Sequence, residues 1–144
     1  VLRPGGLLMF TTFGPDTLKE LRAAWAGDAG IHVNRFIDMH DVGDMMIDAG
    51  FADPVMDMEY LTLTYTDART LMRELKASGA HNVAAGRSRG LTGKRTLEEI
   101  ELRYEFFRQD ARLPATFEVI YGHAWKPLPR TGPGGRRVID IRSA

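Results

Sequence analysis

Four basic side chains stand close together in one stretch of the sequence and could bind an anion. They are Arg87, Arg89, Lys94 and Arg95, and no acidic residue separates them. A guanidinium offers a planar, two-pronged donor that matches a carboxylate or a phosphate group. The run predicts either recognition of an anionic group or an ordinary solvated basic loop, and the residue types alone leave both open.

Other polar side chains that could contact a ligand are scattered, and each has an ordinary structural interpretation. Arg35 and His40 precede a predicted helix, where the imidazole could face a ligand or simply cap or pack. Thr17 lies in the first turn of another predicted helix, where a hydroxyl often caps the backbone. Asn82 offers an amide just before the basic run. We predict no catalytic residue and no metal ligand from these patterns.

The composition is that of an ordinary folded domain and points to no charge-driven partner. The 144 residues suffice for one domain with a real core, and 44% of them are hydrophobic. Nineteen basic residues balance nineteen acidic ones, so the overall charge does not indicate nucleic-acid binding. Cysteine is absent, which excludes disulfides and thiolate chemistry in this stretch. No apolar run approaches the ~20 residues that span a membrane, and we expect a cytoplasmic protein.

Apolar periodicity predicts strands and helices in the order β-α-α-β-α-α-β. The predicted strands are 7–13, 55–65 and 116–125. Four helices are predicted. The first follows Pro15 and ends at Gly27, and the second runs from a cap at Asp38 or Asp41 to Gly50. The third spans 68–78, and the fourth runs from a Thr96–Glu99 capping box to about Gln109. In the second helix, Val42, Met45, Met46 and Ala49 are predicted to face the core. Residues 79–95 form a predicted loop, and 128–144 a Pro/Gly-rich basic tail.

The first strand has the composition of a strand in the middle of a sheet. Leu7, Leu8 and Met9 are apolar on both faces, as in a central strand of a parallel sheet. Three strands also make a small sheet for a chain of this length. We therefore expect a C-terminal half, whose neighbouring strands would precede Val1.

Two local sequences resemble class I S-adenosylmethionine-dependent methyltransferases. LRPGG before a buried strand resembles the segment that leads into the fifth strand of that fold, and DAGF resembles the entry to strand six. More particular runs resemble the malonyl-acyl-carrier-protein O-methyltransferases of biotin synthesis. These runs are TTFGPDTLKELR, VNRFIDMHDVGD, LTLTYTDARTLMRELKASGAHN, GRSRGLTGKR and YGHAW, and the resemblance covers residues 1 to about 127.

The resemblance implies an α/β fold, the C-terminal half of a class I (Rossmann-like) methyltransferase. Its three-stranded mixed sheet would have the order five, seven, six, with strand seven antiparallel between the other two. Residues 66–115 would leave and re-enter the sheet at the carboxyl ends of the parallel strands, where ligands bind. They would form a helical cap over the substrate.

The resemblance also implies a reaction, a methyl donor and a partner. S-adenosylmethionine would methylate the free carboxyl of malonyl-acyl-carrier protein. Arg87 would meet the malonyl carboxylate or the phosphopantetheine phosphate, Asn82 the thioester or pantetheine arm, and Arg89, Lys94 and Arg95 the acidic carrier protein. Arg35, His40 and Thr17 are weaker candidates for substrate binding. No glycine-rich turn after a strand occurs in the chain, so we expect it to be inactive alone and to bind S-adenosylmethionine poorly.

Two alternatives remain open, as does the state of the chain in solution. One is a methyltransferase of the same fold with another small-molecule acceptor. The other is a non-catalytic module whose basic loop and tail bind an acidic partner. Without its neighbour, the first strand would be an exposed apolar edge that can pair with another chain. We therefore expect a homodimer.

Overall fold

The structure, a computed structural model, describes residues 2–26, 33–79 and 93–129. Its elements are β1 (Leu7–Phe13), α1 (Lys19–Ala24), α2 (Met39–Asp48), β2 (Ala52–Tyr65), α3 (Ala68–Ala77), α4 (Lys94–Glu105) and β3 (Leu113–Trp125). This is the order that the sequence predicts. Among the described helices, none has the length and apolar character that crossing a membrane requires.

The sheet confirms the predicted strand order, since β3 lies between β1 and β2. Leu7 pairs with Trp125 and Phe13 with Val119, while Tyr65 pairs with Leu113. Both ladders are antiparallel. The described sheet is therefore antiparallel rather than mixed. β1 and β2 run in the same direction, but β3 lies between them, so they do not pair.

Two strands begin earlier than predicted. Asp53 adopts φ 49°, and the register shifts between Ala52 and Val55, so the Asp53–Pro54 turn is a bulge inside β2. β3 begins at Leu113 because Pro114 is tolerated there. Its missing N–H faces the side of β3 on which β1 has already ended.

Side-chain caps fix two of the helices, and a third starts where the sequence did not indicate. Asp38 accepts the backbone N–H of His40 at 2.8 Å and begins α2. Asp67 accepts that of Thr70 at 2.8 Å and begins α3. The predicted capping box of α4 is wrong, because Gly93 is the N-cap and the helix starts at Lys94. Glu99 instead pairs with Arg95, one turn earlier.

The main core lies at one end of one sheet face, under α1, α3 and α4. Its fully buried members are Leu71, Tyr104, Leu113 and Ala115. Tyr104 also donates its hydroxyl to the carbonyl of Pro114 at 2.8 Å. The rest of that face is open, and Met9 of β1 is 72% exposed.

The opposite face of the sheet is covered by α2 through a narrower stripe than predicted. Met46 is buried and Val42 half-buried, whereas Met45 is 57% exposed and Ala49 is exposed. α2 packs mainly against β2, so the sides of the helix turned away from that strand stay exposed. The predicted inward orientation is therefore wrong for Met45 and Ala49.

β3 extends beyond β1, and the segment after β1 satisfies the edge that this exposes. Residues 113–118 have no partner in β1. Glu118 instead accepts the N–H of Gly14 at 2.9 Å, and its own N–H donates to the Thr17 hydroxyl at 3.1 Å. Thr116 accepts from Leu18 at 2.6 Å and donates its N–H to the Glu20 carboxylate at 3.1 Å. Two side chains and two backbone N–H groups thus complete the ladder that β1 leaves unfinished.

The segment that follows β1 contains a residue with an unusual backbone conformation. Leu18 adopts φ 56°, a left-handed conformation that is uncommon for a leucine. Arg22 fixes it by donating to the carbonyls of Pro15 and Thr17 at 2.8 and 2.9 Å. A Cβ at Gly14 would lie 2.2 Å from Cδ of Glu118, so a larger residue there would have to displace the buried Glu118 carboxylate. The chain beyond β1 is therefore specified residue by residue.

Replacing Thr17 with valine should destabilise the fold. Valine keeps the shape but leaves the buried N–H of Glu118 without an acceptor, which costs about 1–3 kcal/mol. Thr62→Val is the matched control, because Thr62 is exposed on β2. Urea unfolding followed by circular dichroism measures both. Equal midpoints for the two variants would contradict the role given to Thr17.

Candidate functional site

The carboxyl ends of β1 and β2 lie at the same end of the sheet, because the two strands run in the same direction. β2 continues past the end of β1, from Tyr60 to Tyr65, paired with β3. The chain then leaves through α3 and α4 and returns at Leu113. The 66–115 excursion therefore does start and finish at the end where open α/β sheets bind ligands. Its function as a substrate cap stays a prediction.

A cavity of about 570 Å³ opens at this end, between the sheet and the carboxyl end of α3. It is lined by Phe13, Leu63, Tyr65, Glu74, Leu75, Ser78, Gly79 and Phe117. The Phe13 ring lies 5.9 Å from that of Phe117 and 5.7 Å from that of Phe36, which fixes its orientation. The volume of the cavity is typical of sites that bind small molecules.

Two polar side chains meet in this mostly apolar cavity. Tyr65 is buried at the end of β2, and Glu74 is exposed on α3. Burial raises the pKa of the Tyr65 hydroxyl, and the hydrogen bond to Glu74 and its negative charge raise it further. The phenol therefore remains a neutral donor, and Glu74 is the cavity's one anion among its described lining residues.

A second, smaller cavity of about 280 Å³ lies near the start of α2, on the opposite face. His40 borders it with its ring Nδ1 2.9 Å from an oxygen of Asp38. The backbone N–H of His40, and then its ring, lower the pKa of that carboxyl. Asp16 and the buried Glu118 lie on the other side, joined by a 2.7 Å hydrogen bond from the Asp16 N–H. Within the described ranges, no cluster of His, Asp or Glu could hold a metal ion.

The predicted site residues do not all come together. His40 borders the smaller cavity, and Arg35 is exposed next to Phe36, whose ring packs on Phe13. Thr17 is buried, and its hydroxyl is engaged by the backbone of Glu118, so the structure gives it a structural role. The substrate contacts of all three stay predictions. Arg87, Arg89 and Asn82 lie outside the described residues.

Lys94 and Arg95 are exposed on the first turn of α4. Arg69 of α3 pairs with Glu101 of α4, and Arg108 after α4 donates to the carbonyl of Thr66 before α3. These contacts place the last turns of α4 beside the start of α3. Each cation is balanced by a glutamate one turn along, at 3.9 Å for Lys94 and 3.2 Å for Arg95.

Sequence reasoning missed the residues that build the larger cavity. Phe117 and Leu75 have the spacing of core residues, and nothing in the sequence sets them apart. Tyr65 was detectable, since it is the last residue of a predicted strand and so lies at the ligand-binding end. Glu74 is one of several charged positions on α3, and only its contact with Tyr65 distinguishes it.

Comparison with known proteins identifies close relatives. The chain is 60% identical over 140 residues to a protein from Gallionella capsiferriformans, covering 96% of this chain and 48% of that protein. It is 62% identical over 141 residues to one from Laribacter hongkongensis (97% and 46%), and 59% over 145 residues to one from Nitrosospira multiformis (98% and 47%). Each is named malonyl-[acyl-carrier protein] O-methyltransferase. No protein-family model matches the chain.

These comparisons confirm the resemblance stated from the sequence. The chain is homologous to proteins named malonyl-[acyl-carrier protein] O-methyltransferase and matches the C-terminal half of such a protein. It spans about half the length of the curated relatives it matches.

Acid should loosen α3, which covers the larger cavity, through its cap. The Thr70 backbone N–H, and then the hydroxyls of Thr70 and Thr66, lower the pKa of Asp67 below its ordinary 3.8. The stabilising effect is therefore complete above that ordinary value and is lost as the pH falls through the lower, folded-state pKa. Asp67→Asn keeps an uncharged cap and should remove this step.

Carboxyl-carbon NMR titration of Asp67, with the amide signals of α3 followed in parallel, measures this change. A carboxyl that titrates at or above its ordinary pKa would contradict the assigned cap, as would an identical acid response in Asp67→Asn.

Proposed function

We propose that this chain is the acceptor-side half of an enzyme that transfers a methyl group from S-adenosylmethionine to the free carboxyl of malonyl-acyl-carrier protein, in biotin synthesis. The observation that carries the proposal is the 59–62% identity, over nearly the whole chain, to three proteins with that name. The position of the larger cavity, at the carboxyl ends of β1 and β2, supports it.

The proposed reaction requires the acceptor side of the enzyme mainly to position the substrate. A malonyl carboxylate is ionised at neutral pH and is already a nucleophile, so no general base is needed. The protein has to hold one oxygen in line with the methyl group and to exclude water. Walls of Phe13, Leu63, Leu75 and Phe117 are suited to excluding water. The lack of a predicted catalytic residue is consistent with this requirement.

The described residues do not fit the methyl donor by themselves. A nucleotide-type ligand is commonly held by a glycine-rich turn between a strand and a helix, where backbone N–H groups approach it. Gly14 follows β1, but its open side is filled by Glu118 and its N–H is bonded to β3. We therefore assign the donor site to the part of the relatives that this chain does not match, and derive no step through it.

The carrier protein would dock on α4 and the neighbouring basic run. Lys94 and Arg95 lie at the start of one exposed stripe of α4, which ends in Leu102 and Phe106, 68% and 89% exposed. An apolar patch beside basic groups is suited to a partner that is acidic and partly apolar. Arg89 would belong to the same surface, and Arg87 would meet the malonyl carboxylate or the arm's phosphate.

The remaining assignments follow the same geometry. Asn82 would hydrogen-bond the thioester or the pantetheine arm, and Arg35 and His40 would border the acceptor. A cytoplasmic location and the absence of nucleic-acid and membrane partners stay predictions.

The test compares this chain with the longer protein that contains it. We expect the longer protein to bind S-adenosylmethionine by calorimetry and to methylate malonyl-acyl-carrier protein, and this chain alone to do neither. In the longer protein, Lys94→Glu with Arg95→Glu should raise KM for the carrier protein about five- to tenfold at low salt and leave kcat nearly unchanged. The effect should fade as added salt screens the charges.

Arg3→Glu is the matched control, because Arg3 is exposed at the opposite end of β1. If the longer protein methylates no malonyl carrier protein, the proposed reaction is wrong. If it does so with an unchanged KM in the double variant, the surface on α4 is wrong and the reaction stands.

We also expect this chain alone to form a homodimer through β1. β1 is an edge strand of the described sheet, and Met9 is 72% exposed on it. Size-exclusion chromatography with light scattering measures the mass, and Met9→Lys should shift the equilibrium toward monomer. A monomer at high concentration in the unmodified chain would contradict this prediction.

A further inference from the structure

The larger cavity has a charge and a polarity that select among the groups of a substrate. Its walls are the side chains of Phe13, Leu63, Leu75 and Phe117. Its polar lining residues are Tyr65, Glu74 and Ser78, and the Ser78 hydroxyl already donates to the carbonyl of Leu75 at 2.9 Å. Among the described lining residues, none is cationic. A carboxylate entering it would lose water and meet the negative charge of Glu74, and no cation among the described lining residues would offset that charge.

The polar side of the cavity is suited to donors of hydrogen bonds that carry no charge. Tyr65 and Glu74 line the same cavity, and burial together with the nearby Glu74 carboxylate raises the pKa of the Tyr65 phenol, which stays a neutral donor. The Glu74 carboxylate has lone pairs that can accept further hydrogen bonds. Glu74 is exposed, so it keeps its hydration when the cavity is empty and can accept an N–H when a ligand enters. Apolar walls with one strong acceptor match a linear chain that contains secondary amides.

We propose that this cavity binds an uncharged, amide-bearing chain and that Glu74 sets its preference against carboxylates. This inference rests on the proposed function, under which the bound ligand is the pantetheine arm that carries the malonyl thioester. The reactive carboxylate then lies outside the cavity and away from Glu74. The cavity thus determines which end of the substrate is presented to the methyl donor.

The test titrates this chain with two probes that share an amide and differ in charge. Pantetheine is neutral and has two amides, whereas pantothenate has one amide and ends in a carboxylate, so the comparison with Glu74→Gln isolates the effect of charge. With labelled methyl groups, pantetheine should shift the NMR signals of Leu63 and Leu75, and pantothenate should bind at least tenfold more weakly. Glu74→Gln should narrow that preference severalfold, because it removes the charge and keeps a hydrogen-bond acceptor.

Two further variants locate the binding site. Leu75→Trp fills the cavity and should weaken pantetheine binding about tenfold or more. Leu128→Trp makes the same change at an exposed position after β3 and should leave binding within about twofold. Equal binding of the two probes, tighter binding of pantothenate, or equal effects of the two tryptophans would overturn the proposal. Tighter binding of a tetramethylammonium probe at the same methyl groups would overturn it too, since it would indicate a cation site.

The outcome is separable from that of the methyl-transfer assay, because pantetheine binding needs no methyl donor. If the longer protein transfers methyl groups but pantetheine does not bind in this cavity, the inference about the cavity is wrong and the proposed reaction is supported. If pantetheine binds selectively but no methyl group is transferred, the specificity of the cavity is confirmed and the proposed reaction is wrong.

Discussion

The unpaired edge of β3 is the constraint on which the rest of the structure depends. A buried strand edge cannot leave its N–H and carbonyl groups without partners, and β1 ends before β3 does. The Thr17 hydroxyl, the Glu20 carboxylate and the backbone of Gly14 and Leu18 satisfy it. Because those groups follow β1 directly, their positions dictate how the chain leaves Phe13. That exit orients one wall of the larger cavity.

The same contacts connect the sheet to the helices. Glu20 places α1 against β3, and α1 in turn packs on α4. Arg103 of α4 closes this arrangement by donating to the carbonyl of Ala26 at 2.7 Å. Apolar burial is accordingly concentrated where the cavity opens, while Met9 and Trp125 near the other end remain exposed. The end of the molecule that would handle a substrate is the better packed one.

Sequence patterns predicted the architecture because it depends on signals that are local. The apolar run at β1, the alternation in β2 and the Asp67 cap each need only a few neighbouring residues to be recognised. The start of α4 and the exposure of Met45 could not be predicted, since both depend on which surfaces the sheet leaves for a helix to cover. The position of the central strand came from the family resemblance, because pairing between distant segments leaves little trace in either segment alone.

The candidate site was predictable in its place and only partly in its members. The end of the sheet follows from strand direction, and Tyr65 follows from that. The pairing of Glu74 with Tyr65 needs the crossing of α3 over β2, which no spacing encodes. For Thr17 the structure shows a role that the sequence did not specify, since its hydroxyl bonds the backbone of Glu118, a residue distant in the sequence, and its contact with a substrate stays a prediction.

The hairpin of β2 and β3 closes on the pair of Tyr65 and Leu113, and everything between these residues is an insertion into an already registered ladder. Lengthening or rewriting such an insertion costs little, because the entropy of closing a loop rises slowly with its length. Evolution could therefore exchange the segment between them as a module and keep the sheet. Sequence changes in this segment would then reshape the α3 side of the larger cavity and leave the strand register intact, a divergence confined to one interchangeable part of the chain.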